Sequence, residues 1–370
     1  MPVTERSTPA SPAESALKTF RYLIAIEPLG LLYGSTGRFL SPENLVGRSG
    51  QHFPPDTPTL SGLFAATHGN AEVQSLYLAG PFWSFRSQPQ NFCVPTPFSI
   101  LARQLPPQDA DDETEPEHYA IVQALRWSGQ PGAEGEWLDF DGNMPSGKFS
   151  SHTWVPLSAW DRLGDRDRWP ELKLYGEPWQ FVPHLHPRLE TEQRKVDIEE
   201  GRGGLFLENG VQMHPDTCLV YLANKSLRSG WYRFGGEGHL ASVDCQPLSQ
   251  STAQLLDRDL GHSFATIAPS VWGSNRLSRR YPTAWEGRVA LLTERPEPYR
   301  YRMGGKGHVK RLSRGRYTTP AGSVYVLAAP QPAWNHWPNQ WFPKEGPHLS
   351  RWGCGLALPL PAAFHPTPTN

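Results

Sequence analysis

The chain has 370 residues, and 35 Lys and Arg against 36 Asp and Glu leave a net charge of −1. That excludes a uniformly basic packaging protein, though not a local basic patch. Apolar residues make up 38%, and 34 Gly with 38 Pro stay below the roughly 25–30% Gly plus Pro of a low-complexity chain. The composition implies a real core with many turns and few long regular elements, and the length implies two to three domains.

The four cysteines, Cys93, Cys218, Cys245 and Cys354, are widely separated and form no C-x-x-C. That argues against a disulfide framework or a zinc knuckle and for a reducing compartment. Residues 1–15 have no apolar core of a secretory signal, and no run of eighteen apolar residues occurs. The expectation is a cytoplasmic protein with no membrane partner and no cofactor.

Residues 1–18 read as a disordered leader and 361–370 as a tail. Phe20–Glu27 is apolar on both alternating faces and predicts a central strand. Pro28 ends it, and a Gly-punctuated loop runs from Gly30 to Gly50. Thr57, Pro58 and Gly69 then fit the cap, first turn and end of a helix. Pro106–His118 carries six acids and no base and reads as a solvated loop. Ser249 can cap a helix containing Leu255, Leu256 and Leu260. Further strands are predicted at Cys218–Leu222, Phe264–Ala268, Arg288–Thr293, Ser323–Ala329 and Gly355–Leu360. Helices among strands without a regular βαβ rhythm favour α+β.

The densest chemical signal is Val271–Pro320, with twelve basic residues against three acidic ones. The bases are Arg276, Arg279, Arg280, Arg288, Arg295, Arg300, Arg302, Lys306, Lys310, Arg311, Arg314 and Arg316; the acids are Glu286, Glu294 and Glu297. Such clustering implies a polyanionic or acidic partner. Gly304, Gly305 and Gly307 flank Lys306 and His308 and let bare backbone approach phosphates. Tyr301 and Tyr317 bracket the stretch and could stack on unpaired bases. An ordinary solvated basic loop is the competing account.

Other motifs are weaker. Gly142–Lys148 resembles a P-loop, but Phe149 replaces the hydroxyl that binds magnesium and Pro145 removes a donor. His184 and His186 would share a strand face without a third ligand at zinc spacing. No nucleophile elbow, H-E-x-x-H or complete G-x-G-x-x-G occurs, so catalysis has no positive signal.

Short motifs in collinear order then resemble one family. They are Ile26-Glu27-Pro28-Leu29, Gly37-Arg38-Phe39, Phe53-Pro54-Pro55 with Thr59–Leu63, Gly80-Pro81-Phe82, and Val94–Pro97. Glu200-Gly201 with Leu205-Phe206, Gly235–His239, Pro269 with Trp272, Pro320–Tyr325 and Trp352–Ala357 follow. Together they are similar to the CRISPR-associated RAMP superfamily, and within it to the third subunits of type III-B (Cmr) effector modules.

The resemblance implies two ferredoxin-like (RRM-related) units with long loops and inserted hairpins, divided as 19–225 and 226–360. It implies a non-catalytic subunit of a ribonucleoprotein in antiviral defence. Such a subunit caps the 5′ handle of the guide RNA and joins the large polymerase/cyclase-type subunit to the backbone subunits. The resemblance implies guide-RNA contacts at Gly304, Gly305 and Gly307 with Lys306, and at Gly353 and Gly355; with the charge and aromatic pattern, the candidate RNA-binding residues also include Arg38, Arg276, Arg279, Arg280, Tyr301, His308, Lys310, Arg311, Arg314 and Arg316. Arg194–Met213 resembles a projecting hairpin, although Arg188-Leu189-Glu190-Thr191-Glu192 departs from the apolar continuation of relatives.

Two other classes remain open on sequence. A metal-independent repeat-RNA endoribonuclease of the same superfamily would use a positioned base, for which His52 is the candidate. A carbohydrate- or protein-binding module would use Trp334, Trp337, Trp341 and Trp352 as a platform.

Overall fold

The first helix is α1 (Pro12–Leu17) in the computed structural model, which describes residues 11–32, 53–106, 116–187, 205–235, 239–303 and 311–365. Ser11 caps it by accepting the Glu14 N–H at 3.3 Å, and Pro12 opens its first turn. Residues 12–18 are therefore not a loose leader. Buried Lys18 donates from Nζ to the Trp337 carbonyl at 2.5 Å, and Asn339 donates to the Glu14 carboxylate, so the helix is fastened to the C-terminal half.

β1 (Tyr22–Pro28) behaves as its two apolar faces require. Leu23 and Ala25 enter one hydrophobic cluster, Ile24 and Ile26 another. α2 (Thr57–His68) begins after Asp56 and stops at Gly69, whose φ of 86° is a left-handed conformation that favours glycine. The strands that follow are β2 (Leu78–Phe85), β3 (Cys93–Pro95), β4 (Ile100–Gln104), β5 (His118–Trp127) and β6 (Trp137–Asp139). Next come β7 (Trp154–Pro156), β8 (Leu174–Tyr175), β9 (Trp179–Pro187), β10 (Leu205–Met213), β11 (Thr217–Ala223), β12 (Gly230–Arg233) and β13 (Leu240–Pro247).

Eleven of these form one sheet in the order β12-β13-β1-β11-β2-β3-β7-β8-β5-β4, with β6 on β5. β9 and β10 form a separate two-stranded ribbon from Trp179↔Met213 to Pro187↔Leu205, so its first strand lies upstream of the Arg194–Met213 stretch to which the resemblance points. β11 is buried along its whole length, as a strand between β1 and β2 with both faces covered must be.

The second half begins with α3 (Gln250–Leu256), whose cap Ser249 accepts the Thr252 N–H at 3.2 Å. Its strands are β14 (Gly261–Thr266), β15 (Trp272–Gly273), β16 (Ser278–Arg279), β17 (Val289–Leu292) and β18 (Glu297–Tyr299). β19 (Arg302–Met303), β20 (Arg311–Leu312), β21 (Arg316–Thr318), β22 (Val324–Gln331) and β23 (Ala357–Pro359) complete it. β17-β22-β14-β23 form a four-stranded sheet; β15–β16, β18–β21 and β19–β20 are short two-stranded ladders.

The architecture is α+β, and strand order repeats. In the first sheet β13-β1-β11-β2 are neighbours, in the second β23-β14-β22-β17, all paired antiparallel. Each set places its fourth strand beside its first, its first beside its third and its third beside its second. Residue 225 lies between β11 and β13, which belong to one sheet, so the first sheet extends past that position to Pro247.

Among the described residues one crossover within these sets is an α-helix, α2 between β1 and β2. Among the described residues the others are β12, the β15–β16 hairpin with one turn at Thr283–Trp285, and three turns between Trp334 and Trp352. Aromatic rings take the place of helices over the second sheet. Trp337 packs edge-on against Phe264 at 5.7 Å and Trp285 against Tyr325 at 5.5 Å. Trp334 is buried, with its indole N–H donated to the Cys354 carbonyl at 3.1 Å. Trp334 and Trp337 are thus core residues and cannot serve as an exposed sugar platform, while Trp341 and Trp352 are half-buried.

Candidate nucleic-acid interface

The hairpin β15–β16 turns through Ser274–Leu277 beside β21. Three contacts fix that neighbourhood. The Tyr317 N–H donates to Ser278 Oγ at 3.1 Å, the Thr319 hydroxyl to the Arg280 carbonyl at 3.4 Å, and Arg316 Nη1 to the Ser274 carbonyl at 3.3 Å. A third segment joins where the Lys344 N–H donates to Asn275 Oδ1 at 2.7 Å. Arg276, Arg279, Arg280, Arg314 and Lys344 are thus all exposed on three stretches whose backbones adjoin. Tyr317 is 54% exposed and Leu277 57% exposed on the same segments. Arg279 pairs with Glu286 at 3.4 Å and keeps 39% of its side chain exposed, and Arg314 holds the Asn275 carbonyl at 3.3 Å.

Arg316 has a different role. Its side chain is only 3% exposed and lies 3.2 Å from Glu345, itself 13% exposed. Glu345 also accepts the Arg314 N–H at 2.9 Å. The pair braces the face from below, so Arg316 is withdrawn from any strand lying on the surface. Tyr301 is likewise interior, with its ring 4.5 Å from Trp352. Burial first, then the Glu345 charge, pushes its hydroxyl well above the usual tyrosine range. Of the two rings, Tyr317 is the exposed one. Glu345 was invisible to sequence reasoning, since nothing local ties it to an arginine 29 positions earlier.

Gly353 and Gly355 are also packing residues. Gly353 has a φ of 70°, and a Cβ there would lie 2.6 Å from both Cα and Cβ of Ala79 in β2. At Gly355, φ 72°, a Cβ would lie 2.7 Å from the Trp272 ring. Their missing side chains let the last turn close on the first sheet and on the aromatic core, leaving no backbone approach to a ligand at these two positions.

Arg38, His52, Gly304, Gly305, Lys306, Gly307, His308 and Lys310 lie outside the described residues, as does 188–204. The backbone of Arg311 is described: it pairs with Met303, so β19 and β20 form the two-pair base from which residues 304–310 leave and to which they return. Ser313 anchors that base by accepting the Tyr301 N–H at 3.0 Å.

The P-loop-like turn is already satisfied internally. Asp139 Oδ1 accepts the N–H of Asn143 at 2.7 Å, taking one donor of the motif that a phosphate would need, and that of Asp141 just before it at 3.0 Å. Burial pushes the thiols of Cys218 and Cys354 up to about 12, so neither is a thiolate at neutral pH. Among the described residues no three His, Cys, Asp or Glu side chains stand together as metal ligands, and no helix is long and apolar enough to cross a membrane.

No protein-family model matches the chain, and no curated protein matches its sequence. Solved structures do resemble it. A chain of the type III-B Cmr-beta complex bound to cognate target RNA is 10% identical, over 82% of this chain and 86% of that one, with a TM-score of 0.43. A chain of the Csm3-Csm4 subcomplex of the type III-A CRISPR-Cas interference complex is 9% identical, over 84% and 94%, at 0.35. A chain of the Csm1-Csm4 cassette in complex with pppApA is 10% identical, over 84% and 88%, at 0.30.

Proposed function

We propose that this chain is a non-catalytic, RNA-binding subunit of a type III-B CRISPR effector, holding the 5′ handle of the guide and joining the large subunit to the backbone subunits. The observation that carries the RNA reading is the convergence of Arg276, Arg279, Arg280, Arg314 and Lys344 with exposed Tyr317. These five exposed cations stand against one exposed carboxylate, Glu286, while the interior Arg316 and Glu345 neutralise each other. Such a surface gains affinity by releasing counterions from a sugar-phosphate strand, and an aromatic on it accepts an unstacked base.

Two further features support the same reading. The order of each four-strand set is that of a ferredoxin-like unit, and we read the chain as two such units in which three of four crossover helices have been replaced. The motif series of the sequence follows the RAMP superfamily from Ile26 to Ala357.

Electrophoretic or anisotropy titration with a single-stranded repeat-derived RNA tests the proposal. Arg276→Ala with Arg280→Ala should weaken binding at least tenfold with folding unchanged. Neutralising about four phosphates implies a slope of log K against log salt near −3, at about −0.7 per phosphate for a single strand. A salt-independent affinity, or full affinity in the double variant, would reject the interface.

A further inference from the structure

A second feature of opposite charge lies where the two sheets meet. It is a cleft of about 930 Å3 walled by Leu101 of β4 on one side and Leu292 of β17 on the other. Its floor is a backbone join: the Phe98 N–H donates to the Gly322 carbonyl at 2.8 Å. A Cβ on Gly322 (φ 92°) would come within 2.7 Å of the Thr96 carbonyl, so only glycine lets the two halves sit this close. Nothing local in the sequence marks this cleft, because its walls come from nine separated stretches.

Its chemistry disfavours the strand proposed for the basic face. Asp56, Glu177, Glu294 and Glu297 line it against one guanidinium, Arg300, whose Nε is donated to the Ser313 carbonyl at 2.8 Å. Four carboxylates facing a partly enclosed space repel phosphates and attract cations. Phe181 and Trp179 line the same space, and aromatic rings favour guanidinium or ammonium groups and proline rings; Phe149, also in the lining, already carries the Arg103 guanidinium over its ring at 5.6 Å. An independent sign of a missing ligand is Thr96, only 6% exposed, which lines the cleft with a buried Oγ1 that has no hydrogen-bond partner. Buried hydroxyls are rarely left so.

We propose that this cleft docks an extended segment of a partner protein carrying arginine or lysine between prolines or other apolar residues. A peptide is favoured over a small cation by β17. It pairs with β22 on one side and ends the sheet on the other, and its last residue and the two that follow line the cleft. An edge strand offers alternate N–H and C=O groups to an added strand, while pockets beside it select side chains. Carboxylates on the rim then select basic residues, and Thr96 supplies a hydroxyl to the segment's backbone.

The test uses the full chain and a fluorescein-labelled nonapeptide alternating Arg with Pro and Leu, read by anisotropy at low salt. A peptide with Glu for each Arg is the control. The basic peptide should bind and the acidic one should not. Glu177→Gln with Glu294→Gln, isosteric and tolerant of folding, should weaken binding at least tenfold, and Thr96→Val several-fold. Affinity for single-stranded RNA should be unchanged in both variants, which separates this inference from the RNA reading. No binding of the basic peptide at millimolar concentration, full affinity in the double Gln variant, or equal displacement by spermidine at matched charge would overturn the proposal. Competitive displacement by single-stranded RNA would do so too, by reassigning the cleft to nucleic acid.

Discussion

Replacing Gly353 by alanine separates two roles a glycine can have beside a proposed RNA surface. The new Cβ would sit 2.6 Å from Ala79 Cα, 2.6 Å from Ala79 Cβ and 2.8 Å from the Leu78 carbonyl oxygen. Two of these three atoms are backbone of β2, an interior strand paired with β11 and β3, so they cannot swing aside. The left-handed φ of 70° costs a residue with a Cβ about 1–2 kcal/mol. Overpacking against a rigid neighbour adds about 1–3 kcal/mol. Gly353→Ala should therefore lose about 2–5 kcal/mol in urea denaturation. RNA affinity per folded molecule, measured well below the unfolding midpoint, should stay within twofold of the parent. Adding Ala79→Gly removes one of the three close atoms and should restore only part of the loss. Unchanged stability with tenfold weaker RNA binding would refute the packing argument and return Gly353 to the ligand.

Glu345→Gln should cost about 3–5 kcal/mol of stability, because it leaves the interior guanidinium of Arg316 without its counter-charge; thermal unfolding followed by circular dichroism measures this. Tyr317→Ala should weaken single-stranded RNA binding by about 1–3 kcal/mol if the ring stacks on a base, with unfolding midpoint unchanged. Lys18 gives a pH signature. Burial lowers its amine from 10.5 to about 8, with the Glu14 charge partly opposing. The folded state therefore releases this proton before the unfolded state does, and stability should rise with pH between about 8 and 10.5. The gain is at most about 3 kcal/mol at 1.36 kcal/mol per pH unit. It is read as the difference between the parent and Lys18→Met at pH 7 and pH 10, and an identical response in both would contradict the burial of a charged amine.

The elements legible from sequence were those decided locally. β1 could be placed because Leu23 to Ile26 are apolar on alternate faces, α2 because Pro58 and Gly69 bound it, and α3 because Ser249 caps it. The helix α1 carried a readable signal as well, Ser11 three positions before Glu14, but the Ser, Pro and Glu content of the first residues masked it. The basic hairpin and Tyr317 were recognisable from composition. What sequence could not resolve was which members of a basic run face water. Arg316 and Arg314 differ by two positions, yet Glu345 draws one inward and leaves the other exposed. Gly353 and Gly355 looked like ligand-facing backbone because a glycine required by packing and one required by a phosphate have the same letter. The acidic cleft was missed for a related reason: Glu177 and Glu294 are brought together only by the seam at Gly322.

Because β13 closes the first sheet and α3 opens the second half, the peptide bond after Pro247 is the one place near the middle where the chain could be severed without tearing a hydrogen-bonded ladder. Two polypeptides parted there would each own a whole sheet but half of a common oily seam, and so should reassemble when co-expressed. A cut at residue 225 would instead strand β13 on the wrong fragment and leave β1 with a raw edge.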